Sequence, residues 1–262
     1  MFLGGGRIAG AIAAGLRLAG YEREIVVYDR NPGKLRALRR ESRVEVARDL
    51  KSAVARADLL IIAVRPASVA ELLDEVDGCG VGLGLGLCVS LAAGIPLAKL
   101  RAKLGPPVKW VRAMPSPVCR IGRGLTALSF DRGVDKRERA QVGAFFKLVG
   151  NVLQIPERQF DAFTAAYSSS HGYHALATLA KAAQAAGLGR AAAQTAAAHA
   201  LSDGIGYWRE SGRPLAELLH EAITPGGIAA ATMTAMDKSG YARVVARGIR
   251  AGVEQARKNA RR

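Results

Sequence analysis

Apolar positions over the first half of the chain alternate between two spacings. Short, nearly continuous apolar runs are followed by stretches in which apolar residues recur every three or four positions. Runs bounded by turn residues predict buried strands, and the three-to-four spacing predicts helices. The first such unit is Phe2-Leu3, three glycines, then Arg7 to Leu16 at helical spacing, which predicts a strand, a tight turn and a helix. Glu24-Ile25-Val26-Val27-Tyr28 predicts a second strand, with a helix over Pro32 to Leu38. Val44 to Ala47 reads as a short connection, and Asp49 to Ala55 as a helix capped near Asp49. Further strands are expected at 58–64, 84–91, 108–115 and 124–130, with helices at 68–76, up to Leu104, and at 136–149.

Strands that alternate with helices imply a mainly parallel sheet with right-handed crossovers. The expectation is an α/β fold whose N-terminal Rossmann-type domain spans 1–156. Beyond Pro156 the composition shifts: Phe160 to Gly187, Arg190 to Gly212 and Ala242 to Ala260 are alanine-rich and helical in spacing, without a convincing strand. Residues 157–262 are therefore expected to form an all-α domain. Such a small, alanine-rich bundle leaves broad apolar faces, which predicts a homodimer or larger homo-oligomer.

The candidate chemistry starts at the first turn. Gly4, Gly6 and Ala9 satisfy the G-x-G-x-x-G/A dinucleotide pattern: a tight turn, a close backbone approach to a pyrophosphate, and a small residue where helix packs on strand. The pyrophosphate would lie at the helix N-terminus, where unpaired N–H groups and the positive dipole end favour an anion. About twenty residues further on, where this pattern places a ribose-reading residue, stand Asp29, Arg30 and Asn31. Asp29 suits a ribose 2′-hydroxyl and so NADH, whereas Arg30 and Asn31 suit a 2′-phosphate and so NADPH. The choice stays open, as does a plainer role in which Asp29 and Asn31 only start the next helix. Arg65-Pro66 ends the strand at 58–64, and such carboxyl-end loops are where ligands collect in a doubly wound sheet.

Composition excludes some classes. With 262 residues, 50% of them hydrophobic, the chain can bury a substantial core. The longest apolar window, Val81 to Ile95, is too short and too rich in glycine for a membrane span. The N-terminus lacks a basic leader and starts almost inside the first strand, so a cytoplasmic protein is expected. Cys79, Cys88 and Cys119 form no CxxC pair, and His174, His199 and His220 show no ligand spacing, so neither a disulfide framework nor a metal site is expected. The net charge is +16. Its basic residues are dispersed without interleaved aromatics, which argues for solvated faces and against nucleic-acid binding.

The ordered motifs resemble those of the pyrroline-5-carboxylate reductase family, over nearly the whole chain. Gly4-Gly5-Gly6-Arg7-Ile8-Ala9 is similar to its G-x-G-x-M-A, Ala63-Val64-Arg65-Pro66 to its A-V-K-P, and Ser90-Leu91-Ala92-Ala93-Gly94-Ile95 to its S-I-A-A-G-I. Arg112-Ala113-Met114-Pro115 matches its R-x-M-P, Gly124-Leu125-Thr126 its G-x-T, and Thr224-Pro225-Gly226-Gly227 its S-P-G-G. The resemblance implies a nicotinamide cofactor, NADPH or NADH, and a helical dimerisation domain, with dimers often gathered into rings. It adds Arg7, Ile8, Val64, Arg65, Pro66, Ala92, Met114 and Pro115 to the expected cofactor residues.

The departures cluster in the substrate motifs. Ser116-Pro117-Val118 stands where the family has N-T-P, Ser168 to Tyr173 carries His171 where it has proline, and Ile228-Ala229 replaces T-T. Reducing a C=N bond needs a hydride at carbon and a proton at nitrogen. The Thr224 hydroxyl with the Gly226 and Gly227 backbone is expected to bind a substrate carboxylate, the alternative being a Pro-Gly-Gly that only turns the chain. His171 is the candidate proton donor, against a role as a helix-terminal histidine satisfied locally. Tyr173 and Thr232 are further candidates. Alternative functions are a related enzyme reducing another imine or a ketone, and a nicotinamide-binding protein without turnover.

Overall fold

The computed structural model describes residues 1–55, 57–80 and 86–261. Residues 84 and 85 of the strand expected at 84–91, and the start of the apolar window at Val81, lie outside them. The chain forms two compact units: residues 1–166 together with the end of the C-terminal helix from Ala251, and residues 167–250. The first break in packing therefore falls one helix after the compositional shift at Pro156.

In the first unit the strands are β1 (Phe2–Leu3), β2 (Val26–Tyr28), β3 (Glu45–Val46), β4 (Leu60–Ile62), β5 (Leu87–Ser90), β6 (Lys109–Met114), β7 (Leu125–Phe130) and β8 (Asn151–Gln154). They form one sheet in the order β3-β2-β1-β4-β5-β6-β7-β8. Neighbours are parallel from β3 to β6; β7 runs antiparallel to β6, and β8 is parallel to β7. Between them lie helices α1 (Arg7–Leu18), α2 (Pro32–Ser42), α3 (Leu50–Ala55), α4 (Val69–Gly78), α5 (Leu97–Lys103) and α6 (Lys136–Lys147), and α7 (Glu157–Ala166) follows β8.

The two-residue period of the strands divides the core in two. Phe2, Val27, Ile61, Val89, Val111 and Leu128 face one side, where Ile12 and Leu16 of α1, Leu38 of α2 and Phe146 of α6 cover them. Leu3, Val26, Leu60, Ile62, Cys88 and Trp110 face the other, under Val54 of α3, Leu73 of α4 and Leu100 of α5. Strands buried on both faces need no polar positions, which is why β4 reads as an unbroken apolar run. The end of α6 opposite its C-terminus is fixed by a capping box: Glu138 N–H donates to Asp135 Oδ1 at 2.9 Å, and Asp135 N–H to Glu138 Oε2 at 2.8 Å.

Three local readings need correction. Val44 to Ala47 is not only a connection: Glu45–Val46 pairs with Val26 and Val27 as an edge strand. β8 has no counterpart among the expected strands. Its residues are mostly exposed, so the apolar signal is thin. The helical stretch expected over 160–187 is two helices, α7 and α8 (Ser169–Ala185), because Ser168 leaves the helical conformation and its side chain accepts from Ser170 N–H to start α8.

The second unit contains α8, α9 (Arg190–Ser211), α10 (Leu215–Ala222), α11 (Ile228–Lys238) and the N-terminal half of α12 (Tyr241–Arg261). α8 and α9 pack on one another, with Ala180, Ala193 and Ala197 buried. Many large apolar side chains stay exposed, including Tyr207 at 58%, Leu215 at 53% and Val244 at 54%. The last turns of α12 belong to the first unit. There Asn259 donates to the Ala93 carbonyl, and Gly94, at φ +79°, lets the Ala256 carbonyl come where a Cβ would meet it at 2.3 Å.

The cysteines are unpaired. Burial pushes the Cys88 thiol up to about 12 and the Cys119 thiol up to about 11, so both are protonated at ordinary pH. A thiol reagent on the native protein should therefore label Cys79 alone at an appreciable rate, and all three cysteines after denaturation. Rapid native labelling of Cys88 would refute this account of its burial.

Candidate active site

Parallel strands put the carboxyl ends of β1, β2 and β4 on one edge, and the strand order reverses between β1 and β4. That reversal opens a crevice. A cleft of about 220 Å³ lies there, lined by Gly4 and Gly6 after β1, Tyr28, Asp29 and Arg30 after β2, and Ala63, Val64 and Arg65 after β4.

The turn that shapes it depends on its glycines. Gly4 has φ +109°, a left-handed region that side chains avoid, and a Cβ there would meet the Ala63 carbonyl oxygen at 2.7 Å. Gly6 is the N-cap of α1, in extended conformation. An added Cβ on Gly6 would meet no protein atom within 4 Å, so the space over this residue is free for a ligand to approach the backbone. Ala9 is buried in the core under α1, as its packing role requires, and Gly15 on the same helix approaches the Cys119 carbonyl where a Cβ would meet it at 2.1 Å.

Asp29 ties the two halves of the motif together. Its Oδ2 accepts from the Gly5 N–H at 2.8 Å, and its Oδ1 from the Asn31 N–H at 2.8 Å; Lys34 Nζ lies 3.4 Å from Oδ2. Partial burial would raise the Asp29 pKa, but the N–H donors of Asn31 and Gly5 and the Lys34 ammonium outweigh it and hold the carboxyl below its ordinary value. The side chain is thus a fixed anion in the cleft. Asn31 instead caps α2, its Oδ1 accepting from Gly33 and Lys34 N–H. Arg30 pairs with Glu71 at 2.9 Å and with Glu75, both on α4.

The other expected cofactor residues are distributed around this edge. Arg7 and Ile8 form the first turn of α1, and Pro66 opens a 3-10 turn over Pro66–Ser68. Ala92 follows β5, Met114 ends β6 and Pro115 follows it, at a carboxyl end that shares the edge, but none of these three lines the cleft. Lys34, Ser68, Glu71 and Leu72 line it without having been singled out in the sequence. An acidic residue in the first turn of the helix after β4 was the available signal for Glu71.

The candidate substrate residues belong to the second unit. His171 and Tyr173 sit in the first turns of α8, with Tyr173 66% exposed. Thr224 and Gly226 are exposed in the turn before α11, and Gly227 is its N-cap. The Gly227 N–H donates to the Thr224 carbonyl at 2.9 Å, so it closes the turn, and the donors facing outward at this helix start are those of its first turn. Thr232 donates its hydroxyl to the Ile228 carbonyl at 2.9 Å. Among the described residues no group of three or more His, Cys, Asp or Glu is placed to hold a metal ion, and no helix is long and apolar enough to cross a membrane.

A glycine turn at the switch point of a parallel sheet, with an anion fixed beside it, defines a dinucleotide-binding oxidoreductase fold. Residues 1–82 match the family described as NADP oxidoreductase, coenzyme F420-dependent, and residues 157–259 match the pyrroline-5-carboxylate reductase dimerisation family. The pyrroline-5-carboxylate reductase of Mycobacterium leprae is 33% identical, with 95% of this chain and 92% of that protein covered. That of Synechocystis is 29% identical, over 97% and 95%. The chain belongs to the pyrroline-5-carboxylate reductase family. In fold it matches the Plasmodium falciparum pyrroline carboxylate reductase with NADP bound (TM-score 0.87, 20% identical, 99% and 97% covered) and the Coxiella burnetii enzyme (0.86, 24%, 99% and 97%).

Proposed function

We infer that this chain reduces the C=N bond of 1-pyrroline-5-carboxylate to give proline, using NADH or NADPH. The observation that carries this reading is family membership over almost the full length, together with a cleft whose open backbone at Gly6 and fixed anion at Asp29 fit a dinucleotide. The Gly4 to Gly6 turn and the start of α1 would hold the pyrophosphate, and Asp29 a ribose hydroxyl. A bound reduced nicotinamide supplies the hydride.

The imino acid is assigned to the helical unit. Its carboxylate is taken by the Thr224 hydroxyl, the Gly226 N–H and the first-turn N–H groups of α11, with Gly227 shaping the turn that presents them and Thr232 one turn further on; no carboxylate side chain stands in that first turn to repel it. His171 is assigned as proton donor to the nitrogen, with Tyr173 beside it in sequence. His171→Ala is expected to lower turnover by roughly 100-fold with cofactor affinity unchanged. Near-normal turnover would show that the imine arrives protonated and that the histidine has no part in the reaction.

Residues 157–262 are proposed as the substrate and self-association region, supported by the family match and the exposed apolar side chains of the helical unit. The cytoplasm is the proposed compartment, in keeping with three unpaired cysteines. The deciding experiment is nicotinamide oxidation by the purified chain with pyrroline-5-carboxylate, and identification of proline as product. Absence of turnover while cofactor binds would overturn the substrate assignment. A different imine or a ketone would then be favoured, since Ile228, 88% exposed, opens α11 where the family carries a hydroxyl.

A further inference from the structure

Resting on the reading of the cleft as a nicotinamide site, we propose that it selects NADH over NADPH, with Asp29 reading the adenosine ribose and Glu71 and Glu75 withholding Arg30 from a 2′-phosphate. The two cofactors differ only in that phosphate, which carries close to two negative charges at neutral pH.

The sequence offers one residue for each outcome, and the structure gives them different partners. Asp29 is held by two backbone N–H groups, one of them from the glycine turn itself, so its position is locked to the cofactor-binding backbone. A fixed carboxylate can accept from a ribose 2′-hydroxyl but repels a phosphate at the same place. Arg30, the side chain that would otherwise receive the phosphate, is bracketed by two glutamates of α4. Exposed ion pairs of this kind are individually weak, so the pairing alone would not keep a phosphate out. The local charge balance decides. Arg30, Lys34 and Arg65 line the cleft with Asp29 and Glu71, and Glu75, which pairs with Arg30 from α4, brings the local count level, so no surplus of positive charge is left for a dianion. Asn31, held in place by the Gly33 and Lys34 N–H groups that donate to its side-chain oxygen, keeps only a neutral amide donor and adds no positive charge for a dianion.

The test is equilibrium binding of NADH and NADPH to the full chain without substrate, followed by cofactor fluorescence at low ionic strength. NADPH is expected to bind about ten-fold more weakly or worse, because like charges brought together at a surface oppose binding on this scale. The double variant Glu71→Gln, Glu75→Gln should tighten NADPH several-fold while NADH stays within about two-fold of the parent. NADPH binding as tightly as NADH overturns the proposal, and an unchanged ratio in the double variant overturns the role of the glutamates. Failure of both cofactors to bind would remove the cleft reading and this inference with it. Selective NADH binding without turnover on pyrroline-5-carboxylate would uphold the inference and reject only the substrate.

Discussion

Gly4→Val should abolish useful nicotinamide binding and loosen the fold at the same time. Two separate costs fall on this position. At φ +109° a β-branched residue is a genuine backbone outlier, and its Cβ would lie 2.7 Å from the Ala63 carbonyl oxygen and 3.0 Å from Val64 Cγ1. The Ala63 Cα is anchored to β1, since the Ala63 N–H donates to the Leu3 carbonyl at 2.8 Å, so the strand end that carries this carbonyl cannot move away as a whole. Relief has to come from displacing the turn, which carries Gly5 away from Asp29 and Gly6 away from the cleft. The expected result is a Kd for the cofactor raised by roughly 100-fold or more, about 2.7 kcal/mol, together with a lowered melting temperature. Gly6→Ala provides the contrast. Its φ of −79° suits alanine and its Cβ meets no protein atom, so stability should stay within about 0.5 kcal/mol while the methyl group weakens cofactor binding. If Gly6→Ala bound the nicotinamide as well as the parent, the ligand would not pass over this turn.

Why the glycine turn could be read in the sequence and Arg30 could not is a matter of range. Gly4, Gly6 and Ala9 act through backbone conformation and size, which a residue type carries with it, and β4 announces itself because both its faces are buried. Asp29 was legible by its spacing from the turn. What Arg30 does depends on Glu71 and Glu75, more than forty positions away, which only the crossover from β4 into α4 brings across the cleft. Edge strands were lost for a different reason. β3 has two residues and β8 shows little burial, so neither presents the apolar run by which a strand is recognised. The substrate motifs were legible as departures from the family, but Gly227 shows the limit of reading a Pro-Gly-Gly by type. Its N–H was expected to face a ligand, and it closes the turn onto Thr224.

Arg112→Met should destabilise the first unit by about 3 kcal/mol, the low end of what breaking a buried ion pair costs. The arginine of the R-x-M-P motif lies on β6, opposite Ser90 of β5 and Ser129 of β7, and is 2% exposed. Its guanidinium donates to Asp161 at 3.0 Å and to Glu157 at 3.4 Å, and it stacks 4.2 Å from the centre of the Phe160 ring, all three on α7. Glu157 Oε1 also accepts from the Leu97 N–H at 2.6 Å, so the same carboxylate holds the start of α5. Methionine fills much of the volume but leaves two carboxylates facing an apolar strand without their cation. Because Glu157 and Asp161 keep 36% and 30% of their side-chain surface, water can recover part of the loss, which sets the lower figure. Arg112→Lys should recover only part, since an ammonium lacks the planar fork that reaches both carboxylates while lying on the ring. Urea unfolding followed by tryptophan fluorescence measures the change. A loss below about 0.5 kcal/mol would mean that α7 is held to the sheet by Phe160 and its apolar contacts alone, and that the charge cluster adds nothing. If the loss is large, adding Asp161→Asn to Arg112→Met should return part of it, because the second change removes a carboxylate that the first has left without a partner.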